Sequence, residues 1–115
     1  MTQPAEALLD HTLIALADPT RRAILKRLAQ GEARVTELAA PFAISLNSVS
    51  KHIKLLERAE LVSRRKAGRE HILRFCPEPL LAARQWIERQ ERFWKAGLEA
   101  MDAVLAAEDD KEQSR

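Results

Sequence analysis

Five polar side chains between residues 47 and 54 have the chemistry to recognise another molecule. They offer one amide, two hydroxyls and two ammonium groups: Asn47, Ser48, Ser50, Lys51 and Lys54. Amides and hydroxyls form directional hydrogen bonds with the edges of nucleotide bases, and ammonium groups attract phosphates. We therefore hypothesise that this segment binds a nucleic acid, with Ser45 and His52 at the same site.

A helix is the element that would present these groups on one side. Val49, Ile53 and Leu56 recur at i, i+4 and i+7, which is the spacing of one buried helical stripe. Ser45 precedes them and can accept a hydrogen bond from an unpaired backbone N–H as the N-cap. Such a helix suits insertion into a DNA major groove. The alternative is an ordinary amphipathic surface helix whose polar side is only solvated.

A charged hairpin follows this helix. Alternation predicts a strand over Leu61–Lys66, a turn at Ala67-Gly68 and a returning strand over Arg69–Cys76, with Ile72 and Phe75 packing either inward or against the neighbouring strand. Four cations gather at its tip: Arg64, Arg65, Lys66 and Arg69. This is the pattern of a wing that contacts phosphates or the minor groove. A hairpin tip charged only for solubility is the alternative.

The net charge is small, but it is unevenly distributed. The chain carries +2 overall, yet residues 44–74 hold eight basic against three acidic side chains, a local excess of +5. Residues 1–43 are balanced at five and five, and residues 75–115 hold six against nine. The middle of the chain is therefore where a polyanion would bind.

Three further helices are predicted before the polar one. The first covers Ala5–Ala17; the second covers Thr20–Gln30, with Asp18 as N-cap, proline in its first turn and Gly31 as C-cap. The third runs from Glu37 to about Phe42, with Thr36 as its cap. Because two short helices joined by a few residues precede the hairpin, the third helix and the polar helix form a predicted helix-turn-helix.

The last predicted helix, Leu80 to about Ala107, is too long for a chain of this size to cover. Its apolar side chains recur at near-heptad spacing: Ile87, Trp94, Leu98, Met101 and Leu105. We expect a second copy to cover this stripe together with Leu9 and Leu13 of the first helix. Burial of both tryptophans within a monomer is the competing interpretation. We expect one domain over residues 1–107 and a flexible acidic tail over residues 108–115.

Length and composition set further bounds. A chain of 115 residues is the size of one domain, and no apolar run reaches the ~20 residues of a membrane span. A single cysteine excludes an internal disulfide, and the N-terminal residues lack the basic start of a signal peptide. These features predict a cytoplasmic protein with no membrane partner.

Five short runs of the sequence match the motifs of a known family. They are Ala15–Leu25 with its Asp-Pro-Thr-Arg-Arg core, Glu37-Leu38-Ala39, Ser45–Lys54 with Val-Ser-Lys-His-Ile, Leu61-Val62, and Gly68-Arg69. Together, over about residues 8–105, the chain resembles the ArsR/SmtB-type winged helix-turn-helix repressors. The resemblance implies a mainly helical fold with a small β-hairpin, dimerised by its first and last helices. It also implies binding to an inverted repeat in the protein's own promoter. By position, Asn47, Ser48, Ser50, Lys51 and His52 would read DNA, and the hairpin cations would contact phosphates.

The chain departs from the metal-sensing members of that family. Leu38-Ala39-Ala40-Pro41 stands where thiolate sensors carry a Cys-X-Cys motif, and residues 78–115 contain no histidine. We therefore expect no metal, no cofactor and the non-metal branch, with an effector that the sequence does not name.

Two other functions remain open at this stage, and a third is excluded. A winged-helix module that binds protein is one alternative, and a redox-responsive repressor using Cys76 is another. An enzyme is not predicted, because the sequence has no Gly-rich phosphate loop and no nucleophile–base pair with suitable spacing.

Overall fold

The computed structural model describes residues 3–113, which form a mainly helical chain with one small antiparallel sheet. The elements are α1 (Ala5–Leu16), α2 (Pro19–Leu28), β1 (Ala33–Arg34), α3 (Val35–Ala39), α4 (Leu46–Arg58), β2 (Val62–Ala67), β3 (Glu70–Phe75) and α5 (Glu78–Gln113). The predicted fold class, helices with a wing, is confirmed. The sheet has the order β1-β3-β2, so it contains one strand that the sequence did not predict.

Helix α2 begins as predicted and ends earlier. The Asp18 side chain accepts a hydrogen bond from the backbone N–H of Arg21 at 3.0 Å, and Pro19 occupies the first turn. The helix ends at Leu28, because the next turn tightens: Gly31 N–H donates to the Leu28 carbonyl at 3.1 Å. Gly31 therefore lies beyond the C-cap, with a positive φ of 146°.

The segment after α2 differs most from the prediction. Ala33 pairs with Leu73 of β3, so the chain becomes a short strand before α3 begins. Helix α3 then starts at Val35, because the Glu37 carboxylate accepts a hydrogen bond from the Arg34 N–H at 3.2 Å. The predicted cap at Thr36 is therefore wrong. The helix ends at Ala39, before proline, which has no N–H to continue it.

Helix α4 has defined caps at both ends. Ser45 Oγ accepts a hydrogen bond from the Ser48 N–H at 3.1 Å, which confirms the predicted N-cap. At the C-terminus Leu61 N–H donates to the Leu56 carbonyl at 3.0 Å, with Glu60 at a positive φ of 58°. This is the hydrogen bond of a Schellman motif, and the two leucines are fully buried beside it. The helix end and the start of the hairpin are thereby fixed to the core.

The hairpin has a regular register and a turn one residue later than predicted. Val62 pairs with Phe75, and Ala67 pairs with Glu70, so Gly68 and Arg69 form a two-residue loop. Gly68 has a φ of 64° at the first loop position, where a type II′ turn favours glycine.

One apolar core joins the first four helices to the sheet. Its fully buried large side chains include Ile24, Leu38, Ile53, Leu56, Leu61 and Leu73. Leu73 is buried, whereas the neighbouring Ile72 is only half-buried and Phe75 packs at the edge of the core. The inward alternative for Ile72 is therefore wrong by one residue, which places Ile72 on the other side of the strand.

The described residues divide into two units, one ending at Ala83 and the other beginning at Arg84. The second unit consists of helix α5 from Arg84 to Gln113, six residues beyond the predicted end near Ala107. Residues 106–113 contain no Gly or Pro, and six of the eight are the good helix formers Ala, Glu, Lys and Gln, so nothing local stops the helix. The predicted flexibility of residues 108–115 stays a prediction, and residues 114 and 115 lie outside the described range. Within the described residues no helix is long and apolar enough to cross a membrane.

Candidate nucleic-acid interface

Helix α4 divides the predicted DNA-binding residues into three sets. At about 100° per residue, its buried stripe is Val49, Ile53 and Leu56. The side directly opposite carries Asn47, Lys51 and Lys54, and all three are exposed. The remaining predicted residues of α4 lie on its two flanks. One flank is next to the hairpin, and the other is next to α1 and α2.

The exposed side of α4 carries three of the residues predicted to contact DNA. Asn47, Lys51 and Lys54 follow one another at i, i+4 and i+7, so they form a continuous ridge. Within the described part of the chain, neither lysine has an ion-pair partner. Their charges are therefore available to an external anion.

The hairpin flank of α4 forms a groove with the wing. Ser50 of α4 and Arg64, Arg69 and His71 of the hairpin line one concave surface of about 280 Å³, together with residues of α3. Arg64 also forms an ion pair with Glu57 of α4 at 2.6 Å. Ser50, on the flank beside the polar ridge, therefore lines the same groove as the hairpin cations Arg64 and Arg69.

The other flank of α4 turns inward. His52 Nδ1 lies 3.2 Å from the Arg21 guanidinium and 3.7 Å from the Asp18 carboxylate, and its side chain is 23% exposed. Ser48 is half-buried and bonds to the N-cap Ser45 at 3.0 Å between the hydroxyl oxygens. Ser45, Ser48 and His52 thus have partners within the protein, and their predicted DNA contacts stay predictions.

Two arginines form hydrogen bonds with the C-terminal end of α1. The sequence did not predict this role for them. Arg21 donates to the carbonyls of Ala15 at 2.9 Å and Ile14 at 2.8 Å, and Arg22 donates to the Leu16 carbonyl at 2.6 Å. These carbonyls belong to the last turn of α1, where the carbonyls lack the regular i+4 helical partner; that of Ile14 also accepts from the Ala17 N–H at 3.2 Å. The Asp-Pro-Thr-Arg-Arg run therefore joins α1, α2 and, through His52, α4. The sequence signal that could have predicted this role is the pair of cations about one turn after the C-terminus of a helix.

Asp18 contacts both Arg21 and His52 where α1, α2 and α4 meet. The hydrogen bond from the Arg21 backbone N–H, together with the nearby Arg21 guanidinium and His52, lowers the pKa of Asp18, and partial burial opposes that shift. Because the folded pKa lies below the unfolded value of about 3.9, its contribution to stability is full above that pH. The contribution is lost as the pH falls through the lower, folded pKa.

Replacing this cap gives a stability prediction. We expect Asp18→Ala to lower the free energy of unfolding by about 1 kcal/mol at pH 7, since the N-cap bond is lost. Asp18→Asn keeps an acceptor oxygen and should lose less. Urea unfolding of the three proteins at equal concentration measures this, and the gap between wild type and Asp18→Ala should narrow below about pH 4. Equal urea midpoints at pH 7 would contradict the assigned cap.

The two sides of the hairpin separate its four predicted cations. Arg64 and Lys66 share the side of β2 that carries the buried Val62, by strand alternation. Arg65 lies on the opposite side, where its guanidinium is 2.7 Å from the Glu32 carboxylate. Arg69 is in the loop. The structure therefore brings Arg64 and Arg69 to the groove beside Ser50 and gives Arg65 an internal partner.

The predicted dimer residues are largely uncovered within their own units. Leu13 of α1 is exposed and Leu9 is half-buried. Five α5 residues, Ile87, Trp94, Leu98, Met101 and Leu105, are 46–68% exposed. Trp94 is among them, and Trp86 is also exposed. Both tryptophans are therefore uncovered within their own unit, and burial within a monomer stays an untested alternative.

A redox-active thiol and a metal site are the two other kinds of site that the sequence raised. Cys76 is half-buried, with its backbone N–H donating to the Leu61 carbonyl at 2.8 Å and its Sγ 3.9 Å from the Arg74 carbonyl. Among residues 3–113, no three His, Cys, Asp or Glu side chains gather in an arrangement that could hold a metal.

Comparison with known proteins identifies the family. Residues 16–65, which span α2, α3, α4 and the start of the hairpin, match the family described as "Helix-turn-helix domain". The chain is 40% identical over 101 residues to the HTH-type transcriptional regulator Rv2034 of Mycobacterium tuberculosis, covering 88% of this chain and 92% of that protein. The crystal structure of an ArsR family transcriptional regulator is 42% identical and has a TM-score of 0.74, covering 83% of this chain and 97% of that one. The chain belongs to the ArsR family of transcriptional regulators.

This ArsR-family protein is accordingly a DNA-binding transcription regulator with a winged helix-turn-helix, and not an enzyme. It is also 37% identical over 60 residues to the transcriptional repressor SdpR of Bacillus subtilis, covering 52% of this chain and 67% of that protein. The resemblance predicted from the sequence motifs is confirmed.

Proposed function

We propose that this ArsR-family regulator is a homodimeric repressor that binds an inverted-repeat operator, including one in its own promoter. The observation that carries the proposal is the exposed ridge of Asn47, Lys51 and Lys54 on α4, a helix whose adjacent flank lines one groove with the wing cations Arg64 and Arg69. The ridge enters the major groove and reads bases, while the wing contacts the backbone. Occupancy of the operator then blocks the polymerase.

A second copy completes the proposed assembly. The apolar stripe of α5 repeats at near-heptad spacing over residues 87–105, which is the pattern of a helix that pairs with another helix. Leu9 and Leu13 of α1 extend the proposed contact. Because a two-fold dimer presents two α4 helices, the operator half-sites are expected about 10 bp apart from centre to centre.

No metal is part of this proposal. The thiolate positions of Cys-X-Cys sensors are occupied by Leu38-Ala39-Ala40-Pro41, whose side chains cannot ligate a soft metal. We therefore assign the chain to regulators that do not respond to metals through that motif. Since the target is DNA, the cytoplasm is the proposed location.

Selection of bound sequences from random duplex DNA tests the proposal. We expect enrichment of an inverted repeat and protection of the same repeat upstream of the gene in a footprint. Affinity should fall steeply with salt, because cations of α4 and the wing displace counterions from phosphates. A protein-interaction module with the same fold would show neither an enriched sequence nor salt-dependent binding of duplex DNA. That result would overturn the repressor assignment.

Two wing arginines give a matched pair of variants for the backbone contact. Arg69 has no ion-pair partner among residues 3–113, whereas the Arg65 guanidinium is already paired with Glu32. We expect Arg69→Ala to weaken binding to all sequences alike and to flatten the slope of log affinity against log salt by about 0.9. Arg65→Ala should change the slope less. Titrations at four salt concentrations measure both slopes, and a change in sequence preference with Arg69→Ala would instead indicate a base contact.

A further inference from the structure

An uncovered apolar side chain lies at the start of the polar ridge. Leu46, the first residue of α4, is 52% exposed, and Ile44 in the preceding turn is 42% exposed. Exposing leucine to water is unfavourable, and its cost is offset when another apolar group covers it. The described chain leaves about half of Leu46 uncovered.

The surroundings of Leu46 are those of the proposed DNA surface and not of a protein interface. Leu46 lines the groove between α4 and the wing together with Ser50, which lies one helical turn further along. Arg34, Arg64 and Arg69 line the same groove with one carboxylate, that of Glu70, which is paired with Arg34 at 2.7 Å. The groove therefore combines cations with an exposed apolar side chain. A polyanion that also offers small apolar groups would complement both.

DNA offers such a group in its major groove. Thymine places a 5-methyl group there, and apolar side chains distinguish A·T pairs by contacting it. Residues at the N-terminus of a recognition helix are the ones that contact base edges. We propose that Leu46 contacts the 5-methyl group of a thymine in each operator half-site, next to an adenine that Asn47 reads through its amide. This inference rests on the proposed function and adds a specificity residue to it.

Deoxyuridine provides the test, because it differs from thymidine only by the 5-methyl group. In duplexes carrying the selected operator, each thymine of a half-site is replaced symmetrically by deoxyuridine, one position at a time. We expect one position at which wild-type affinity falls about fourfold per half-site, the factor expected for burying one methyl-sized group. Leu46→Ala should lose a similar factor on the thymine duplex and lose nothing further on the deoxyuridine duplex.

Leu81→Ala is the matched control, since Leu81 is a similarly exposed leucine on α5, outside the groove lining. It should keep wild-type affinity and wild-type sensitivity to deoxyuridine. Leu46→Ala should melt within about 4 °C of wild type, because alanine is a good helix former and the side chain is uncovered.

The outcomes separate the two proposals. If no deoxyuridine position affects the wild type, or if Leu46→Ala loses the same factor on both duplexes, the thymine contact is wrong and DNA binding stands. If the wild type selects no sequence at all, the repressor assignment fails, and the Leu46 contact fails with it.

Discussion

Lys51→Glu is expected to lower operator affinity by at least about 100-fold while leaving the dimer intact. Lys51 lies at the centre of the exposed ridge of α4, between Asn47 and Lys54. The substitution removes a cation that would face phosphate or base and places a carboxylate against a polyanion. Because the Lys51 side chain is exposed, the melting temperature should stay close to that of the wild type.

Lys26→Glu is the control for this experiment. It makes the same change in net charge at an exposed position of α2, away from the ridge and the wing. We expect its affinity to fall by less than about threefold, through the general charge term alone. Gel shifts of the two variants on the selected operator, at one salt concentration, make the comparison. Tight operator binding by Lys51→Glu would mean that α4 is not the recognition helix.

Leu98→Glu is expected to raise the dissociation constant of the dimer by about 1,000-fold or more, and operator binding should fall with it. Leu98 lies in the middle of the α5 stripe and is 55% exposed on its own chain. In the proposed dimer it is covered by the partner, where an unpaired carboxylate would lose its hydration. Each monomer would then hold only one recognition helix.

Arg92→Glu serves as the matched variant on the same helix. Arg92 is exposed and lies about 120° around α5 from Leu98, so a charge change there should leave the dimer unchanged. Sedimentation equilibrium over a range of concentrations measures both dissociation constants. If Leu98→Glu remains dimeric at the wild-type concentration, the α5 stripe is not the dimer interface.

The elements that the sequence predicted well are those with local signals. Helix α4 was predicted by three apolar residues at helical spacing and by the N-cap Ser45, and all four are found in those roles. The hairpin was predicted by alternation, and the position of its turn was wrong by one residue because both Ala67-Gly68 and Gly68-Arg69 satisfy a two-residue loop.

The features that could not be predicted from the sequence depend on contacts between residues that are far apart in the chain. Strand β1 is two residues long and exists because Ala33 pairs with Leu73, forty positions away. The burial of Leu73 in place of Ile72 depends on which side of β3 packs against the helices. The alternating sequence pattern does not determine which side that is.

The candidate site could likewise be predicted only in part, for the same reason. The residue types that recognise DNA could be listed from the sequence, but their internal partners could not. His52 meets Arg21 across 31 positions, and Arg65 meets Glu32 across 33. The sequence predicts DNA contacts for both, because nothing nearby in sequence marks a tertiary hydrogen bond or ion pair.

The division of α4 into three sides has a consequence for how such regulators diverge. The flanks secure the helix, through Glu57 and Arg64 on one side and through His52 and Arg21 on the other. The ridge of Asn47, Lys51 and Lys54 takes no part in that support. A duplicated gene could therefore change these three codons and acquire a new set of promoters while its product still folds. Target choice and architecture would evolve under separate selection.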